Sequence, residues 1–122
     1  MEPLEKLDET LASSDIVVLT LPLTDETHHL MNAERFEQMK VGSVLVNIAR
    51  GAVVDTEAMI KALRGKLFGA VLDVFEEEPL PAYNGLWNMM NAIITPHNSF
   101  VSDKNDKRLL EVIFQNLKGD LI

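Results

Sequence analysis

Alternating apolar runs and amphipathic stretches predict an α/β chain built on a mostly parallel sheet. Two observations carry this. Residues 16–21, 43–48, 70–74 and 92–95 are short runs rich in β-branched and aliphatic side chains, and helical periodicity lies beside or between them. Such continuous runs are typical of parallel strands covered on both faces, and strands separated by helices of about ten residues imply right-handed crossovers.

The elements follow in order. Leu4, Leu7 and Leu11 recur at three-four spacing, which makes residues 3–12 a short amphipathic helix with Pro3 in its first turn and Ser13-Ser14-Asp15 at its end. Residues 16–21 are the first strand, and Pro22 stops its ladder. Asn32 caps a helix through Lys40, residues 43–48 form the second strand, and Asp55 caps a helix from Thr56 to about Arg64 that Gly65 closes. Residues 70–74 and 92–95 supply two more strands. Residues 80–90 between them read as an excursion at the sheet's end, and residues 102–118 as a last helix carrying Leu109, Leu110, Val112, Ile113 and Leu117.

Composition bounds the function. A chain of 122 residues, 47% hydrophobic and 25% charged, is one ordinary globular domain. Nineteen acids against eleven bases give a net charge of −8, which repels phosphate backbones and anionic lipid, so neither nucleic acid nor membrane is expected as the main partner. The absence of cysteine excludes a disulfide framework and a thiolate metal site and fits a reducing cytoplasm. The N-terminus lacks the basic-then-apolar order of a signal peptide, and no apolar stretch approaches the roughly 18 residues that span a bilayer.

Three motifs bring residue types that chemistry uses: Asn47-Ile48-Ala49-Arg50-Gly51, Asp73-Val74-Phe75-Glu76-Glu77-Glu78-Pro79 and Thr95-Pro96-His97. Each follows an apolar run and so leaves the carboxyl end of a strand, where open α/β sheets place ligands. Arg50 offers a planar fork of donors that matches a carboxylate, although an arginine before a glycine also reads as a surface ion pair or helix cap. Glu76 and Glu77 read as a solvated acidic turn, whereas Pro79 gives Glu78 a more defined direction. His97 has the side chain whose ordinary pKa lies nearest neutral, suited to proton transfer or to a structural role at a strand end. Asp73 ends a hydrophobic strand, where a carboxylate needs a partner, and a turn cap is the plainer reading. His28 and His29 read as solvent-facing.

These motifs resemble the second half of the nucleotide-binding domain of the D-isomer-specific 2-hydroxyacid dehydrogenases, over about residues 7–117. The resemblance implies a partial Rossmann-like, doubly wound parallel sheet of about four strands with flanking helices. It implies Arg50 as the substrate-binding arginine, His97 as the acid/base and Glu78 as the carboxylate that orients His97. It also places Asp73 against the nicotinamide amide, and Leu21, Pro22, Thr27, Ile48, Ala49, Arg50 and His97 along the cofactor cleft. The implied cofactor is NAD, with NADP not excluded, and the implied substrate is a D-2-hydroxy acid or 2-keto acid; no metal is implied.

None of the chain's six glycines shows G-x-G-x-x-G spacing, and nothing matches a separate substrate domain. Residues 1–122 are therefore expected to be a partial dinucleotide-binding domain, lacking the glycine-rich first βαβ unit. The alternative is a non-catalytic remnant or a regulatory, protein-interaction module that keeps the scaffold. After His97 the chain departs from many members of that family with Asn98-Ser99-Phe100-Val101-Ser102, which leaves substrate choice open. Arg50, Glu78 and His97 are expected to converge, with Glu78 about 3 Å from His97 and Arg50 turned to the substrate position rather than to Glu78. The first strand is expected to expose an unpaired edge and to drive homo-oligomerisation.

Overall fold

A computed structural model describes residues 4–99 and 101–120; Pro3 and Phe100 lie outside the described residues. The order is α1 (Leu7–Ser13), β1 (Ile16–Leu19), α2 (Ala33–Gln38), β2 (Val44–Asn47), α3 (Thr56–Gly65), β3 (Gly69–Leu72), β4 (Ala92–Ile94) and α4 (Asn105–Asp120). Short 3₁₀ turns occupy Leu4–Lys6, Gly51–Val53 and Gly85–Asn88. The strands form one wholly parallel sheet in the order β1-β2-β3-β4, so the expected α/β architecture is present.

Local chemistry sets the boundaries. Asn32 and Asp55 cap α2 and α3 as expected, their side chains accepting from the backbone N–H of Arg35 and Ala58 at 3.0 and 3.1 Å. Gly65 is the last residue of α3, and Lys66 follows as its C-cap. Gly42, at φ 81°, makes the left-handed turn into β2 that a side chain would strain.

The strand order explains the layering. Each strand lies beside the next in sequence, so successive right-handed crossovers put their helices on the same face. There Leu19, Leu45, Ala70 and Leu72 bury against Leu11, Phe36, Met59, Ile60 and Leu63, with Val17, Ala92 and Ile94 packed alongside. Alternate residues point the other way. Val18, Val46, Val71 and Ile93 stand side by side in register across the sheet and are absent from that core, with Val18 and Ile93 exposed. The expectation that residues 16–21 are covered on both faces is thus corrected: β1 has burial on one face and Ile16 and Val18 exposed on the other. Double-faced burial requires crossovers of both directions, and a monotonic order supplies one.

The fourth helix begins at Asn105 rather than 102. Its Leu109, Leu110, Ile113, Phe114 and Leu117 are exposed, so it contributes nothing to the core. Residues 80–90 do more than wander. Asn84 caps the 3₁₀ turn Gly85–Asn88, Leu86 is buried, and the turn passes close to Ile60 of α3.

Candidate functional site

Because all strands run parallel, the segments after β2, β3 and β4 emerge at one end of the sheet. After β2, buried Asn47 shapes the chain: its Oδ1 accepts from the Ala49 N–H and its Nδ2 donates to the Arg50 carbonyl, both at 3.1 Å. This Asx-type clip turns Ile48 and Arg50 outward and Ala49 into the core. Ile48 is 42% exposed, Ala49 is buried and Arg50 is exposed. The Arg50 guanidinium donates from Nη1 to the Ala49 carbonyl at 2.7 Å, and no ion pair with Glu78 occurs among the described residues.

After β3, Asp73 turns inward and is 2% exposed. Its Oδ1 accepts from the Thr95 hydroxyl at 2.5 Å and the Asn98 N–H at 2.9 Å, and its Oδ2 accepts from the Ser99 N–H at 3.0 Å. Burial pushes this carboxyl up, but the hydrogen bonds from Thr95, Ser99 and Asn98 prevail and hold it well below the usual carboxylate range. Asp73 therefore ties down the loop that carries His97. The plainer reading of Asp73 as a turn cap describes its place in this conformation.

That loop needs holding. His97 has φ 55°, the left-handed region that non-glycine residues rarely adopt and that collects at functional positions. Its Nδ1 lies 2.7 Å from Oε2 of Glu78, while Oε1 of Glu78 accepts the Phe75 N–H at 3.0 Å. Partial burial raises the Glu78 carboxyl, yet the Phe75 N–H and the His97 ring outweigh it and set it below its ordinary value. An ionised carboxylate accepts, so the proton between the two sits on Nδ1. The histidine is 41% exposed at its side chain and the glutamate 33%. Glu78 is joined to Pro79 through a cis peptide.

The first strand adds the turn after Leu19. Leu21 is half-buried and Pro22 exposed, while Thr27 is buried with its hydroxyl donating to the Pro22 carbonyl at 2.7 Å and accepting from the Thr24 N–H. Thr27 thus shapes the turn from within. Pro22 and Ile48 are both exposed, just past the ends of the neighbouring parallel strands β1 and β2.

Two features escaped the sequence. Glu76 is exposed, as expected, yet engaged: it pairs with His29 and accepts from the Thr56 N–H at 3.3 Å and hydroxyl at 2.6 Å, which holds it below its ordinary value against partial burial. His29 is half-buried, with φ 49°, and its ring stacks on that of His28. The second feature is Gly51, where a Cβ would lie 1.9 Å from the Phe75 carbonyl carbon and 2.4 Å from the Glu76 nitrogen. The loop bearing Arg50 therefore touches the backbone of the loop bearing Glu78. A glycine after an arginine signalled a turn in the sequence; nothing there signalled the second backbone.

The depressed Asp73 carboxyl has a pH consequence. Its folded value lies below the unfolded value of about 3.9, so its stabilisation is complete at neutral pH and is lost as pH falls below about 4. Asp73→Asn puts an amide N–H against the Ser99 N–H and is expected to cost on the order of 3 kcal/mol at pH 7. Denaturant melts at pH 7 and pH 3 check this: the variant should lose less stability between them than the parent chain.

Among the described residues no cluster of His, Asp or Glu is arranged to hold a metal, and no helix is long and apolar enough to cross a membrane. Residues 2–99 match the family model described as D-isomer specific 2-hydroxyacid dehydrogenase, NAD binding domain. A glyoxylate reductase from Thermofilum pendens is 47% identical over 120 residues, covering 94% of this chain and 35% of its own length. A crystal structure of a Thermus thermophilus protein superposes with a TM-score of 0.81 at 52% identity, covering 87% of this chain and 34% of that one. A D-isomer specific 2-hydroxyacid dehydrogenase from Xanthobacter autotrophicus, in complex with NADPH and MES, gives 0.80 at 49% identity, covering 86% of this chain and 34% of that one. The chain spans about a third of the length of these relatives. The family model covers most of the chain and the parallel sheet superposes on its solved structures, so the chain belongs to the D-isomer-specific 2-hydroxyacid dehydrogenase family, within its NAD-binding domain.

Proposed function

We propose that this chain supplies the proton-transfer half of an NAD(P)-dependent oxidoreductase acting on D-2-hydroxy acids and their 2-keto acids. The observation that carries the reading is the 2.7 Å pair of Glu78 and His97, on a left-handed backbone at the carboxyl end of a parallel sheet. A nicotinamide cofactor, when bound, supplies the hydride chemistry at the substrate carbon. The residues of the chain handle the oxygen. Protonated His97, oriented through Nδ1 by Glu78, gives a proton from Nε2 to the carbonyl oxygen during reduction and takes it back during oxidation. Arg50 leaves the Ala49 carbonyl and grips the substrate carboxylate with its planar fork. Asp73 keeps the His97 loop in place, and Leu21, Pro22 and Ile48 form the ledge beside the nicotinamide.

The test joins this chain to the remaining two thirds of the Thermofilum pendens glyoxylate reductase, its 47% identical relative. The chimaera should oxidise NADH with glyoxylate, and His97→Gln should lower kcat by about 10²- to 10⁴-fold. The isolated chain should show no turnover and weak NADH binding, because its glycines form no pyrophosphate turn. A folded chimaera that binds NADH yet is inactive, or unaffected by His97→Gln, rejects the catalytic reading. The exposed apolar sheet face would then favour the alternative of a protein-interaction module.

A further inference from the structure

A cleft of about 580 Å³ opens beside the Glu78 and His97 pair. Its lining divides by chemistry: Glu78, Thr95 and His97 are polar, while Phe75, Leu80, Trp87 and Ile94 present apolar surface. The apolar part is built rather than incidental. The indole Nε1 of Trp87 donates to the Pro81 carbonyl at 2.9 Å, which fixes the ring, and buried Leu86 anchors the turn that carries it. Trp87 is nevertheless 53% exposed, so much of its surface is available to a ligand.

Size and polarity decide what fits. Glyoxylate is no larger than about five waters, on the order of 150 Å³ at ~30 Å³ each, and has no side chain to bury. Cavities of roughly 300–1,000 Å³ with apolar walls and few polar groups suit larger organic ligands. We infer that Trp87 and Leu80 form the specificity wall of the site and select 2-keto acids with an extended apolar side chain over glyoxylate. This rests on the proposed 2-keto acid chemistry at His97. The keto oxygen lies at His97, and the aliphatic chain runs along Leu80 to the indole face.

Trp87 is the sole tryptophan, so its indole N–H gives one assigned resonance in a ¹⁵N spectrum of the chain. Titrations with pyruvate, 2-oxobutanoate and 2-oxopentanoate should shift that resonance, with affinity rising about fourfold per added methylene. Leu80→Ala, which keeps the reporter, should flatten the ladder, and pentanoate without its keto group should bind more weakly than 2-oxopentanoate. A Leu80→Ala protein whose spectrum shows it unfolded is replaced by Leu80→Asn, for which the same flattening is expected. A flat ladder in the parent chain, no shift at Trp87 with any keto acid, or equal binding of pentanoate overturns the inference. The chimaera separates the two readings: turnover with glyoxylate beside a flat ladder rejects the wall and keeps the dehydrogenase chemistry, and a steep ladder beside a dead chimaera does the reverse.

Discussion

Gly51→Ala is expected to lower the thermal midpoint by roughly 12 °C, from a loss of about 3 kcal/mol at ~4 °C per kcal/mol. The added Cβ would lie 1.9 Å from the Phe75 carbonyl carbon and 2.0 Å from its oxygen, and these are backbone atoms that cannot swing aside. Relief requires the loop bearing Arg50 and the loop bearing Glu78 to separate. Gly65→Ala is the control, since nothing lies within 4 Å of its Cβ position and the residue ends a helix where alanine is favoured. It should be neutral or stabilising. Circular dichroism melts of both variants decide the matter, and a Gly51→Ala midpoint within about 2 °C of the parent would show that the contact yields.

The second large effect concerns association. The row Val18, Val46, Val71 and Ile93 lies outside the core, β1 pairs with β2 alone among the described residues, and α4 exposes its own apolar side chains. Monomers rarely leave such surface open, and a bare strand edge adds unpaired backbone groups. Light scattering after size exclusion should show a dimer or larger at micromolar concentration. Val46→Lys sets an ammonium in the middle of that row and should weaken association by about 2 kcal/mol, roughly thirtyfold in dissociation constant. A parent chain that elutes as a clean monomer removes the expectation.

The sequence showed the strands and the helix caps because both are local: an apolar run of strand length, or Asn32 and Asp55 before a periodic segment, carries its own explanation. The family resemblance set Glu78 beside His97, and the structure pairs them, since a parallel sheet sends the ends of β3 and β4 to one side. What it hid was relational. Nothing near Glu76 announces that His29, 47 residues away, will pair with it, and nothing near Asp73 announces that Thr95, Asn98 and Ser99 will fold over it. Coverage of β1 was misjudged for the same reason. Hydrophobicity reports that a strand can be buried on both faces, whereas the direction of the crossovers decides whether it is.

The monotonic strand order also sets a timetable. Because each strand joins the one before it, a chain leaving the ribosome always finds its docking template already made, and pairing never waits for a distant segment. Among these four strands β4 comes after the others, and His97 lies just behind it, so Glu78 is already in the chain when the histidine that pairs with it emerges.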